Sequence, residues 1–209
     1  AGLEVAARLP LSGPHQSRNA AVALQSVLQI VPDLDAGTAA RGLERARWPG
    51  RMEVLVAPAR PPVMLDGAQN AHAAQALAAG LREEGLRGPI HFVFGALRDK
   101  DVGLMLAALA PLARSWTFTR PASVRAKDPD ELAELLPPEH RDADAWIADT
   151  PHAALDAAWR RAERDGGAVV VCGSLYLVGD VRALLLAAGA EPALEDGPKS
   201  MNLLADRGR

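Results

Sequence analysis

The stretch VMLDGAQN (63–70) ends a short apolar run on Asp66-Gly67, and passes through Gln69 and Asn70 into an alanine-rich helical pattern. Asp-Gly is a common turn pair, so one reading is simple turn chemistry. The other is a carboxylate at a strand end, placed to accept hydrogen bonds from a ribose. Asn70 fits either a helix cap or a ligand contact. A second stretch, GALRDKD (95–101), sets Lys100 among carboxylates at a strand-to-helix turn. There Asp99 caps the helix and Lys100 is solvated, or Lys100 offers a point charge to an anionic group. In a third, CGSLYLVGD (172–180), Ser174 directly follows an apolar strand and Gly173 permits close backbone approach. Ser174 is read as an N-cap, or as a hydroxyl that joins backbone N–H groups in binding a carboxylate. Arg51 follows the chain-breaking WPG (48–50), as a surface arginine or as a phosphate or ribose contact.

Several chemistries find no support. The five histidines show neither HxH nor HExxH spacing, which argues against a zinc site. There is no G-x-x-x-x-G-K-[ST] loop and no G-x-S-x-G nucleophile elbow. The single cysteine, Cys172, rules out an intrachain disulfide, fits a reducing cytoplasm, and is expected as a buried hydrophobe. A net charge of −3 gives no pull toward nucleic acid. No apolar run approaches the ~18–20 residues that span a bilayer, so no membrane partner is expected.

The elements that must hold these residues alternate. Helical periodicity over 15–31 gives a stripe of Ala20, Leu24, Val27, Leu28 and Val31, closed by Pro32. A second helix follows Asp35 as N-cap. Beyond WPGR (48–51), strands read at MEVLVA, VMLDG, IHFVFG, SWTFT, AWIA and GAVVVCGS, with helices between them and after the last. Nearly uniform apolar strands alternating with helices imply an α/β fold: a Rossmann-like, mostly parallel sheet with helices on both faces. In such a sheet Asp66, Gly95 to Lys100 and Ser174 all follow strands and open on one rim, where ligands bind.

In order and spacing, LPLSGPHQSRNAAVAL, WPGRMEVL, LDGAQN, GALRDKD and CGSLYLVGDVR resemble folylpolyglutamate synthase/dihydrofolate synthase of the Mur ligase superfamily. The resemblance implies helices from the end of a central ATPase domain over 1–46, a glutamate ligase C-terminal domain over 47–190, and a loose polar tail over 191–209. It implies an ATP-dependent amide ligase that phosphorylates a carboxylate of folate or dihydropteroate and joins L-glutamate to it. Carried over by motif, Asn19, Arg51 and Asp66 contact the nucleotide, Lys100 and Ser174 hold glutamate, and His15 and Gln16 shape the domain junction. The P-loop and the magnesium ligands are expected in an N-terminal part, so that this chain is the C-terminal half of a longer one and does not catalyse alone. Where the family reads Asp-Gly-Ala-His-Asn, position 69 is Gln, which hydrogen-bonds but carries no titratable proton. That shifts the expectation here from proton transfer to binding. His72, three residues on, is offered on spacing alone as a partial substitute for that histidine. The competing readings are a ligase adding an amino acid to a cell-wall precursor, and a non-catalytic nucleotide-binding or interaction module.

Overall fold

In a computed structural model of the chain, residues 3–13, 15–84, 88–141, 144–193 and 199–205 are described. The chain forms two compact units, one of residues 1–48 with 194–209 and one of residues 49–193.

The first unit opens with a strand, β1 (Leu3–Leu9), where the resemblance implied only helices and the sequence pattern was assigned no element. β1 buries Leu3, Val5, Ala7 and Leu9 and exposes the residues between, the two-residue period of a half-buried strand. Helix α1 (His15–Leu28) packs Ala20, Leu24 and Leu28 on that face, and α2 (Ala36–Glu44) adds Ala39. Asp35 caps α2 as expected, accepting from the Thr38 N–H at 2.9 Å. The α1 stripe is narrower than its periodicity promised. The helix closes in turns after Leu28, before Pro32, which leaves Val27 and Val31 exposed.

The second unit is built on a seven-stranded sheet. Its strands are β2 (Glu53–Val56), β3 (Val63–Leu65), β4 (Ile90–Phe94), β5 (Ala113–Thr119), β6 (Asp144–Ala148), β7 (Ala168–Cys172) and β8 (Glu191–Pro192). They run in the order β6-β5-β4-β7-β3-β2-β8. The five from β6 to β3 are parallel, while β2 and β8 close one edge antiparallel. Strands β3, β4 and β7 are buried along their whole length, because both faces are covered. On one face α3 (Ala71–Glu84), α4 (Val102–Leu109) and α5 (Pro129–Glu134) share a core with Phe92, Phe94, Trp116 and Phe118. Trp116 stacks between Phe92 and Phe118, at centroid distances of 4.7 and 5.6 Å. On the other face α6 (Pro151–Asp165) and α7 (Leu175–Ala187) pack on Val63, Leu65, Val93, Val169 and Val171. Thr150 caps α6, and Gly166 ends it in the left-handed region, as the sequence indicated.

Residues 191–193 and 199–205 do not form the loose tail expected of 191–209, whose other residues lie outside the described ones. β8 extends the large sheet, and β9 (Lys199–Ala205) pairs antiparallel with β1, from Leu9 opposite Lys199 to Leu3 opposite Ala205. The chain thus returns to the unit in which it began. Its polar composition hid this, because β9 is specified by its partner and not by its own pattern.

Glycine matters most where the parallel strands end. Gly173 has φ +100°, and a Cβ there would lie 2.7 Å from the Gly95 carbonyl oxygen. Gly179, inside α7, has open space around it. Gly173→Ala is expected to lower the unfolding free energy by about 2–3 kcal/mol, while Gly179→Ala leaves it unchanged or raises it by up to ~1 kcal/mol. Urea denaturation measures both, and equal stabilities for the two variants would contradict this account of the rim.

Candidate functional site

Asp66 is the first residue beyond β3, and only 5% of it is exposed. Its backbone N–H still donates to the Val171 carbonyl at 3.0 Å, so the residue is held in line with the sheet. Its side chain turns back into the protein. Oδ2 accepts from the Met52 N–H at 3.0 Å and Oδ1 from the Ala68 N–H at 2.8 Å. Burial pushes its carboxyl up to about 6, and the two N–H donors and the Arg51 charge pull it only part of the way back. The same turn binds the entering chain a second time, through the Gly67 N–H donating to the Gly50 carbonyl at 2.8 Å. Gly67 leaves room for Leu175, whose Cδ2 would lie 2.4 Å from an added Cβ. Asp-Gly is therefore a turn and a buried carboxylate at once.

The neighbouring strand ends are stitched to this turn. The Gly173 N–H donates to the Ala68 carbonyl at 2.9 Å, and the Gly95 N–H to the Cys172 carbonyl at 3.4 Å. Asp66, Gly95 and Gly173 thus stand side by side at the carboxyl ends of β3, β4 and β7. Helices α3 and α4 leave this rim on one face of the sheet and α7 on the other, so the loops diverge there. Ser174, 2% exposed, is the N-cap of α7, its Oγ accepting from the Tyr176 N–H at 3.2 Å. The hydroxyl retains its proton for donation. Cys172 is fully buried, and burial pushes its thiol up.

Lys100 lies on the turn after β4, with its Nζ 3.2 Å from the Asp99 carboxylate. Asp99 does not cap α4. Asp101 does, accepting from the Leu104 N–H, while Asp99 pairs with Lys100 and Arg125. The lysine beside it holds the Asp99 carboxyl below its ordinary value.

Gln69 is half-buried and lies before the helix, and Asn70 is a cap, its Oδ1 accepting from the Ala73 N–H at 2.8 Å. α3 begins at Ala71, so Gln69 and His72 are not one helical turn apart. The spacing that suggested His72 as a substitute does not survive, and His72 is exposed on the first turn of α3. Asn19 belongs to the other unit. On the first turn of α1 its Nδ2 donates to Gln16 Oε1 at 3.1 Å, and Gln16 Nε2 lies 3.0 Å from His15 Nε2.

Three residues not expected at the site join it, Met52, Glu53 and Arg182. Glu53 accepts from the Gly50 N–H at 2.8 Å and is bound in two-pronged fashion by Arg182 of α7, at 2.9 to 3.2 Å. Met52 takes a left-handed conformation, φ 47°, that non-glycine residues rarely adopt. The sequence carried a signal for Arg182, at the end of CGSLYLVGDVR, but none for its partner.

Comparison with known proteins gives a consistent result. The family described as Mur ligase, glutamate ligase domain, matches residues 50–175. A probable bifunctional folylpolyglutamate synthase/dihydropteroate synthase of Haloferax volcanii is 40% identical over 175 residues, covering 84% of this chain and 20% of that protein. The crystal structure of Mycobacterium tuberculosis folylpolyglutamate synthase complexed with ADP and AMPPCP superposes with a TM-score of 0.79 at 32% identity, covering 88% of this chain and 42% of that one. A bifunctional folylpolyglutamate synthase/dihydrofolate synthase with Mn, AMPPNP and L-glutamate bound gives a TM-score of 0.65 at 30% identity, covering 85% and 41%. The chain spans less than half the length of each of these relatives.

The raised Asp66 carboxyl has a thermodynamic consequence. The native state takes up its proton near pH 6 and the unfolded chain near 3.8. Burying the charge therefore costs stability above pH 6, and the cost is relieved as the pH falls toward 4. Its full size is on the order of 3 kcal/mol. Asp66→Asn is expected to abolish this pH-dependent component. Urea unfolding of both proteins between pH 4 and 7, with an NMR titration of the Asp66 carboxyl, measures it. A titration midpoint near 4 would refute the assignment.

Proposed function

This chain belongs to the Mur ligase family as its glutamate ligase domain, and from that premise we propose that it is the C-terminal part of an ATP-dependent ligase that adds L-glutamate to folate or dihydropteroate. The observation that carries this reading is convergence. Asp66, Lys100 and Ser174 follow three parallel strands that lie side by side. Three helices, α3, α4 and α7, begin at the same rim, and the positive ends of their dipoles favour anions. ATP, the substrate carboxylate and glutamate are all anionic.

In this proposal the ribose hydroxyls donate to the lone pairs that the Asp66 oxygens keep beyond their bonds to Met52 and Ala68, and Arg51, close enough to act on the Asp66 charge, reaches the ribose or phosphates. Lys100 pairs with a glutamate carboxylate, exchanging part of its interaction with Asp99, and the Ser174 hydroxyl donates to the same ligand. Gln69 hydrogen-bonds and orients. ATP converts the acceptor carboxylate to an acyl phosphate, the glutamate amine displaces phosphate, and ADP is left. Held in register, two anionic substrates need no strong acid or base from these residues, and positioning is the main contribution. Among the described residues no group of three or more His, Cys, Asp or Glu side chains is arranged to hold a metal ion. The proposal therefore draws its magnesium ligands, like its P-loop, from the remainder of the full-length protein.

The test is ATP-dependent incorporation of labelled glutamate into folate and dihydropteroate by the full-length protein. Incorporation is expected there and is expected to be lost with residues 1–209 alone. In the full-length protein, Lys100→Ala is expected to raise KM for glutamate about tenfold, the loss of one charge-assisted hydrogen bond, with KM for ATP little changed. No incorporation with either acceptor overturns the reading.

A further inference from the structure

The bonds around residues 50–53 form a closed set, and α7 is one side of it. The Gly50 N–H donates to Glu53 Oε2 and the Gly50 carbonyl accepts from Gly67 N–H, both at 2.8 Å. The Met52 N–H donates to Asp66 Oδ2 at 3.0 Å. Both neighbours of Arg51 are thus fixed by hydrogen bonds while Arg51 makes the turn between them. Gly50 turns at φ 73°, which glycine adopts freely, but the φ of 47° at Met52 shows that this path is not one the chain takes by preference. Something must hold it there.

Glu53 is the part of the set that depends on a distant residue. Its carboxylate is mostly buried, at 14% side-chain exposure, and accepts from Gly50 N–H while both oxygens face Arg182. A half-buried carboxylate needs its counter-charge, and a two-pronged guanidinium fixes direction as well as charge. Arg182 in turn rides on α7, the helix that Ser174 caps at the rim. Arg60, Arg120 and Arg125 also pair with acidic side chains, but those pairs are more exposed and none touches the path of residues 50–52.

We propose that Arg182 is a positioning residue: through Glu53 it holds the Gly50–Met52 path and so sets the direction of Arg51 toward the nucleotide. This rests on the nucleotide role proposed for Arg51 above. Arg182 itself touches no substrate. Its effect is therefore specific to one ligand and vanishes when Arg51 is absent.

Two measurements on the full-length protein test this. Hydrogen exchange reports the path directly. In Arg182→Met the amide of Gly50 is expected to lose protection by about tenfold, with Glu53→Gln intermediate, because it keeps an acceptor but not the charge. Kinetics reports the function. Arg182→Met is expected to raise KM for ATP about five- to tenfold, with kcat and KM for glutamate within about twofold, and Arg182→Lys is expected to recover part of the loss. Arg51→Ala and the double variant Arg51→Ala/Arg182→Met should then share one KM for ATP, because the two act through one contact. Unchanged Gly50 protection in Arg182→Met overturns the proposal, as do additive effects in the double variant. Increased exchange with Arg51→Ala leaving KM for ATP unaltered upholds the clasp and overturns the nucleotide role assigned to Arg51, so the two failures are told apart.

Discussion

Asp66 ends β3 with both carboxylate oxygens turned inward, each taken by a backbone N–H. A carboxylate so buried is tolerated because those donors replace water, and its raised pKa measures how incompletely they do so. In return the residue joins three pieces of chain. The sheet is held through its own N–H, the turn to α3 through Ala68, and the entering chain through Met52. Met52 occupies an unfavourable backbone conformation with this bond and its buried side chain holding it on one side, and the Glu53 bond to the Gly50 N–H holding the path on the other.

The parallel sheet supplies the complement. Parallel strands need crossover helices, and crossovers bring every strand of one direction out on the same rim. β7 enters the sheet between β3 and β4 although it comes last of the three in sequence. That insertion brings Gly173 and Ser174 between the turns that follow Leu65 and Phe94. Glycines at 95 and 173 then allow the three ends to close on one another through backbone hydrogen bonds. The chemistry of the rim comes from backbone N–H groups and a few polar side chains on rigid elements, which suits the binding and orientation of anionic ligands better than proton transfer. Gln69 in place of a titratable histidine agrees with that character.

Much of this was legible in the sequence, for reasons that differ from element to element. The apolar run 168–172 and the largely apolar IHFVF of 90–94, rich in β-branched and aromatic residues and short, marked strands covered on both faces. Thr150, Pro151 and Gly166 marked both ends of α6. The site was less legible where two local readings were equally good. Asp99 stands as the expected cap of α4, but the helix begins at Val102 and Asp101 caps it. Gln69 and His72 have the spacing of a helical turn, but Asn70 starts the helix after Gln69 and removes the relation. β1 carries the alternation of a half-buried strand in LEVAARL, but its partner β9 lies at the far end of the chain, so nothing nearby in sequence announced the pair.

What the sequence determined by itself was the set of local preferences: which runs are apolar on both faces, which residues cap helices, and where glycine is needed. These follow from short-range sterics and burial, so they survive without knowledge of the partner. What only the tertiary structure decided was adjacency. Nothing in the spacing of residues 53 and 182, or of 52 and 66, announces that they meet. Their pairing depends on the order in which strands enter the sheet, and on which face each helix takes. Long-range hydrogen bonds are made by whatever those choices bring together, so they become visible only when the chain has folded.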